Sequence, residues 1–226
     1  MRDEGTPVKG RTIVANTNSP FGFRQYQGNG SAPTYEQVAV LIDYNATNIF
    51  FGDPVTWQAD GSVAQAAATG ATPVALGIAG IFVGCKYLSV SQKRTVWSNF
   101  WVGSDVASTQ TVEGYIVNDP NAKFVVQSDA TGLALADVNS TIGFAYYNIG
   151  TGAGTNSTGN TANGLSTAYL DTTTINTSSY LQNNPFKIVS IINNPPGVQG
   201  TLSNGQAYDQ AVVMFNNVVT RNFQGV

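Results

Sequence analysis

Histidine is absent from the 226 residues, and cysteine occurs once. Without histidine the chain can form neither a Ser-His-Asp or Cys-His catalytic group nor a metal site that depends on imidazole. The lone Cys85 excludes an intrachain disulfide and a metal cage of several thiolates. Because Cys85 stands in an apolar run, we expect it to be a small buried side chain. Carboxylate pairs are the enzyme chemistry that these absences leave open; otherwise we expect no enzyme, no catalytic residues, no metal and no cofactor.

Charged side chains are also scarce. They make up 10% of the chain, with 10 Lys and Arg against 13 Asp and Glu, whereas about 25% is usual. The net charge of −3 gives no electrostatic footprint for nucleic acid, so we expect no nucleic-acid partner. A neutral polar surface with many aromatics favours extensive protein contact. An extracellular β-protein with a polar surface is the alternative that composition leaves open.

Long hydrophobic runs are missing. The longest, residues 73–83, is shorter than the roughly 20 residues of a spanning helix, so we expect no membrane partner. The first ten residues contain no apolar segment typical of a signal peptide. We therefore expect synthesis in the cytoplasm without export by the usual route.

Short β-type runs separated by turn residues fill most of the chain, and 11 Phe, 10 Tyr and 3 Trp supply a core. This pattern predicts an all-β fold, a barrel or jelly-roll-like sandwich, with one body over residues 35–226. The uncharged stretch 150–164 is expected to be a loop. The predicted strands are 35–42, 48–51, 55–57, 74–83, 86–90, 95–102, 111–117, 124–127, 142–149, 165–170, 187–192, and a last hairpin of 211–215 with 218–223.

Residues 1–34 contain three prolines, five glycines and little periodicity. We interpret them as an extended N-terminal arm. Four of the ten basic residues lie within the first 24, so the arm is mildly basic. Its aromatic side chains, Phe21, Phe23 and Tyr26, could dock on another protein. A solvated tail is the other interpretation.

The stretch VEGYIVNDPNAKFVVQSD, residues 112–129, predicts a β-hairpin. Asp, Pro and Asn at 119–121 fit the first three positions of a β-turn, so Asp119 has a structural role. A glycosidase would need two carboxylates about 5 to 9 Å apart. The densest carboxylates are Glu113, Asp119, Asp129 and Asp137, and their positions in strands and turns make a hydrolase the weakest hypothesis.

Tryptophan allows a sugar-binding interpretation. Trp57, Trp97 and Trp101 could stack on pyranose rings while Asn and Asp orient the hydroxyl groups. Aromatic residues on strands more often belong to the core, so both interpretations stay open.

Several stretches resemble a known family. They are ANTNSPFGFR at 15–24, GIFVGCKY at 80–87, WSNFW at 97–101, YIVNDPNAKFVVQSD at 115–129 and PFKIVSIINNPPG at 185–197. Their order is similar to that of head-associated proteins of podovirus-like tailed bacteriophages, the capsid cement or decoration proteins. The resemblance spans roughly residues 15–223, and the loop 150–164 has no counterpart in it.

This resemblance implies a β-rich structural virion protein on the outer surface of the phage head, assembled in the host cytoplasm. It would bind the major capsid protein, stabilise contacts between its copies and form a homotrimer, without catalytic residues. The candidate capsid-interface residues in the arm are Arg11, Phe21, Phe23, Arg24 and Tyr26. The alternative is a phage tail or head-fibre adhesin that binds host glycans.

Overall fold

The computed structural model describes residues 16–27, 37–67, 77–148, 152–153, 159–175, 184–192 and 207–216. β-strands dominate these ranges, where the only helical elements are two 3₁₀ turns, Leu135–Asp137 and Thr172–Thr174. The all-β prediction is confirmed. The strands are β1 (Arg24–Gln27), β2 (Gln37–Ile42), β3 (Pro54–Trp57), β4 (Val63–Gln65), β5 (Gly80–Ser89), β6 (Arg94–Ser98), β7 (Val112–Val117), β8 (Lys123–Gln127), β9 (Thr141–Asn148), β10 (Gly152–Ala153), β11 (Gly159–Asn160), β12 (Leu165–Ser166), β13 (Ala168–Asp171), β14 (Phe186–Ile192) and β15 (Gln210–Phe215).

The strands form two large antiparallel sheets. The seven-stranded sheet has the order β1-β8-β15-β14-β9-β10, with β13 also paired to β9. The six-stranded sheet has the order β2-β7-β5-β3-β4, with β6 also paired to β5. A small ladder joins β11 to β12. This arrangement is consistent with an all-β sandwich. No closed barrel forms among the described strands, and the jelly roll stays a prediction.

A first core lies on the inner face of the seven-stranded sheet. Phenylalanine rings fill it, and Phe23 stacks on Phe186 with 4.3 Å between ring centroids. Phe215 lies 5.9 Å from Phe186 and 5.1 Å from Phe124. Ile81 from the six-stranded sheet belongs to the same cluster. One end of the six-stranded sheet therefore packs against the seven-stranded sheet.

A second core lies on the opposite face of the six-stranded sheet. Phe82 and Ile116 point into it, while their chain neighbours Ile81 and Val117 point into the first core. This follows from the alternation of side chains along a strand. Trp101 is fully buried there, and its indole N–H donates to the Ala46 carbonyl at 3.2 Å. β5 and β7 thus carry core residues on both faces.

Part of the predicted N-terminal arm belongs to the body. β1 pairs with β8, and Phe23 is buried in the first core with 1% exposure. Residues 16–27 are therefore part of the body and do not form a separate arm. Phe23 is unavailable as an interface side chain, because the rings of Phe144 and Phe186 already cover it. The rest of the predicted arm, including Arg11, lies outside the described residues.

The predicted hairpin at 112–129 is wrong, although its turn is correct. The Ala122 N–H donates to the Asp119 carbonyl at 3.0 Å, and the Asn121 N–H donates to the Asp119 carboxylate at 2.9 Å. β7, however, pairs with β2 and β5, while β8 pairs with β1 and β15. The turn therefore carries the chain from one sheet to the other.

Two further strand predictions need correction. Residues 80–89 form one continuous strand, whereas the sequence pattern predicts two strands with a break between residues 83 and 86. The predicted last hairpin requires a free edge on β15, but β8 and β14 occupy both of its edges. Residues 218–223 lie outside the described residues.

Candidate binding surfaces

A glycine bulge in β5 determines which side chains reach the solvent-exposed part of the six-stranded sheet. This part lies on the face opposite the second core, and we call it the outer face. Phe82 pairs with Ile116, and the next pair is Gly84 with Tyr115, so one extra residue stands in β5. Gly84 has a φ of 150°, a region that is essentially reserved for glycine. The bulge shifts the alternation of side chains. Phe82 and Cys85, three residues apart, consequently both face the second core.

Beyond the bulge, a cross-strand row forms on the outer face. Leu41 pairs with Glu113, Glu113 with Lys86, and Lys86 with Trp97. Residues directly opposite in a ladder lie on the same face. Tyr115 shares this face because it stands two residues from Glu113. We call Leu41, Lys86, Trp97, Glu113 and Tyr115 the outer-face cluster.

The members of the outer-face cluster hold one another in place. The Lys86 Nζ lies 3.0 Å from Glu113 Oε2, and the Tyr115 hydroxyl donates to Glu113 Oε1 at 2.6 Å. Trp97 stacks on Tyr115 with 5.7 Å between centroids and 10° between the rings. The Lys86 Nζ also lies 5.2 Å from the centroid of Trp97. Trp97 nevertheless stays 69% exposed.

Hydrogen bonding fixes the protonation states in this cluster. The bonds from Tyr115 and Lys86 lower the pKa of Glu113 below its ordinary value. The hydrogen bond to Glu113 raises the pKa of Tyr115 to about 12. At neutral pH the carboxylate of Glu113 is therefore ionised and the phenol of Tyr115 is protonated. Glu113 and Lys86 cancel in charge, so the cluster is polar without a net charge.

The three tryptophans, each a candidate for stacking on a sugar ring, have different environments. Trp101 is buried, and Trp57 is half-buried against the second core. Trp97 alone presents its ring to solvent. Sequence reasoning did not identify Lys86 and Tyr115 as its neighbours, because the cross-strand register depends on the bulge at Gly84.

A second surface lies at the N-terminal edge of the seven-stranded sheet, where β1 is the outermost of the described strands. The guanidinium carbon of Arg24 lies 5.4 Å from the centroid of Phe21 and 6.0 Å from that of Phe51. Tyr26 is 52% exposed. We call Phe21, Arg24 and Tyr26 the N-terminal edge. Two of the five candidate interface residues, Phe21 and Arg24, are therefore in contact, and Tyr26 follows them on β1.

Two other carboxylates of the dense set in the sequence, Asp129 and Asp137, accept hydrogen bonds from groups of the surrounding loops. Asp129 accepts from the Thr131 N–H at 2.9 Å and from the Thr172 hydroxyl, at 2.7 Å to its nearer oxygen. Asp137 accepts from the Ala134 N–H at 2.7 Å. Within the described ranges, no group of three or more Cys, Asp or Glu residues is placed to hold a metal ion.

Asp53 is the one fully buried carboxyl group in the described part of the chain. Its Oδ2 accepts from the Phe50 N–H at 2.7 Å and from Gln65 Nε2 at 2.6 Å. The Ser166 side chain is a further hydrogen-bond partner of this carboxyl group. Burial raises the pKa of Asp53 to about 7, against the lowering effect of hydrogen bonds from Ser166, Phe50 and Gln65. The carboxyl group is enclosed by the fold, so it is a structural residue.

Comparisons of the chain with protein-family models, with curated proteins and with solved structures gave no match. The residues that the structure describes include no helix of the length and hydropathy needed to cross a membrane.

Proposed function

We propose that this chain is a structural virion protein, a capsid cement or decoration protein that binds the major capsid protein on the outside of a phage head. The observation that carries the proposal is the N-terminal edge. Its three side chains lie in or beside ANTNSPFGFR, a stretch that carries the family resemblance; Arg24 and Tyr26 stand in the edge strand β1, and Phe21 precedes it. The proposal includes a homotrimer, location on the virion surface and no catalytic activity.

An edge strand can bind a partner through its backbone. β1 pairs with β8 on one side, and addition of a strand from a capsid protein on the other side would extend the sheet. Tyr26 and Arg24 would supply side-chain contacts, because Tyr and Arg are enriched where binding energy concentrates. The Phe21 and Phe51 rings keep the Arg24 guanidinium over an aromatic surface. Repeated copies on a shell would multiply a modest affinity.

The test is co-sedimentation of the purified protein with capsids that lack it, scored by copy number and by survival of the shell on heating. We expect saturable binding at a fixed ratio to the major capsid protein and a more heat-stable shell. The double variant R24A/Y26A should bind at least about ten-fold more weakly. R94A is the matched control, because Arg94 is also exposed but lies on β6.

Two outcomes would contradict the proposal. One is absence of binding by the unmodified protein. The other is equal binding by the R24A/Y26A variant and the control, which would remove the N-terminal edge from the interface.

A glycan-binding adhesin of a phage tail or head fibre is the second candidate. The observation that favours it is the exposed Trp97 ring, since an adhesin needs an aromatic platform.

A further inference from the structure

We infer that the outer-face cluster is a carbohydrate-binding site, in which the free surface of the Trp97 indole receives one pyranose ring of a glycan. This inference is independent of capsid binding through the N-terminal edge, because the two surfaces lie on different sheets. It assigns a ligand class to a surface that the capsid proposal does not use.

The position of Trp97 suits a flat sugar ring. The face of an aromatic ring carries negative electrostatic potential, and the axial C–H groups of a pyranose are weakly positive and apolar. Stacking on Tyr115 fixes the tilt of the indole, while 69% of the residue stays accessible. Both residues stand on paired strands, so little ordering entropy is lost when a ligand binds.

The polar neighbours suit the hydroxyl groups around such a ring. Two hydrogen bonds are already made to Glu113, and a carboxylate can accept about four. The Lys86 ammonium has three donors, of which one is used by Glu113. An acceptor and a donor with spare capacity therefore border the Trp97 ring, as orientation of sugar hydroxyls requires.

The same ion pair disfavours other ligand classes. A flat apolar protein surface would remove water from Lys86 and Glu113 without replacing its hydrogen bonds, which is costly. Hydroxyl groups of a glycan can replace that water. Phosphates of a nucleic acid or a lipid would meet the Glu113 carboxylate next to the ring. The lack of net charge in the cluster favours a neutral sugar.

The experiment measures binding of the full chain to a panel of immobilised bacterial polysaccharides and to soluble cello-, malto- and chito-tetraose. Isothermal titration calorimetry follows the titrations, because it reports binding equally in variants that lack Trp97. We expect saturable binding to at least one of these glycans, with W97A at least about ten-fold weaker and W97F intermediate. E113Q should weaken binding without removing it. V90A is the matched control, because Val90 is a similarly exposed apolar residue at 55%.

A complementary comparison separates this inference from the capsid proposal. We expect W97A to bind capsids like the unmodified protein, and R24A/Y26A to bind glycan like the unmodified protein. Near-ultraviolet circular dichroism of W97A checks the fold through Trp57 and Trp101. Two results would overturn the inference. One is that no glycan in the panel binds, and the other is that W97A binds glycan as well as V90A does.

Discussion

At the scale of single residues, Asp53 links the stability of this protein to pH. The pKa of its buried carboxyl group is about 7, against 3.8 without the fold. Between these values the folded state binds a proton that the unfolded state releases. The contribution of Asp53 to the free energy of unfolding therefore falls as pH rises from about 4 to about 7. Above pH 7 this contribution stays constant. Tyr146 is the neighbouring titratable group, and burial and the Asp53 charge raise its pKa well above its ordinary value.

We expect the variant D53N to remove most of this pH dependence. Asparagine keeps an acceptor oxygen for the Phe50 N–H and carries no charge. The free energy of unfolding of the unmodified protein should fall by up to about 1.4 kcal/mol per pH unit between pH 4 and 7. Urea unfolding across this range measures it. D60N is the control, because Asp60 is exposed and a hydrogen bond from Ser62 lowers its pKa. Parallel profiles for D53N and the unmodified protein would contradict the prediction.

At the scale of elements, local chemistry was predictable and strand partners were not. The turn at 119–122 follows from Asp, Pro and Asn in sequence, and the structure confirms it. Its flanking strands lie in different sheets, because side-chain alternation specifies a strand and not its neighbour. The central place of β15 likewise depends on contacts with β8 and β14, which are distant in sequence.

The candidate surfaces show the same limit. Sequence reasoning identified Phe21, Arg24 and Tyr26 by composition, but it could not show that Phe23 between them is buried. It identified Trp97 only as one of three tryptophans. The GIFVGCKY stretch contains the signal that was missed, since a glycine inside a strand pattern often marks a bulge.

We expect G84A to disturb the outer-face cluster. A Cβ at this position would lie 2.9 Å from the Ser98 carbonyl oxygen, and φ would be strained. The cost should be about 1–3 kcal/mol, with Trp97 fluorescence altered because β6 pairs next to the bulge. Urea unfolding and emission spectra measure both effects. G61A is the control: Gly61 also has a positive φ, but an added Cβ would meet nothing within 4 Å. Equal costs for the two variants would exclude a role for the contact with Ser98.

At the scale of the whole molecule, the first core joins the N-terminal segment to strands near the other end of the chain. Phe23 stacks on Phe186 from β14 and lies edge-on to Phe144 from β9. The Phe23 N–H also donates to the Gly52 carbonyl at 2.9 Å. Residues 16–27 therefore contribute to the stability of the body as well as to the N-terminal edge.

We expect F23A to lower the free energy of unfolding by about 3–5 kcal/mol, because it leaves a cavity among aromatic rings. F21A is the matched control. Phe21 is two residues away and only half-buried, so its cost should be below about 1.5 kcal/mol. Chemical denaturation of the two variants measures the difference. A cost for F23A no larger than that for F21A would mean that the N-terminal segment packs only weakly on the body.

The central position of β15 has a consequence for synthesis on the ribosome. β15 follows every other described strand in the chain, yet it lies between β8 and β14. A nascent chain that ends before residue 210 leaves both partner strands with unpaired edges, which promote association with other chains. The seven-stranded sheet can become complete only after β15 has been translated, because β15 joins β8 to β14. Products truncated before β15 should therefore be aggregation-prone, because both partner strands lack this neighbour until β15 has been translated.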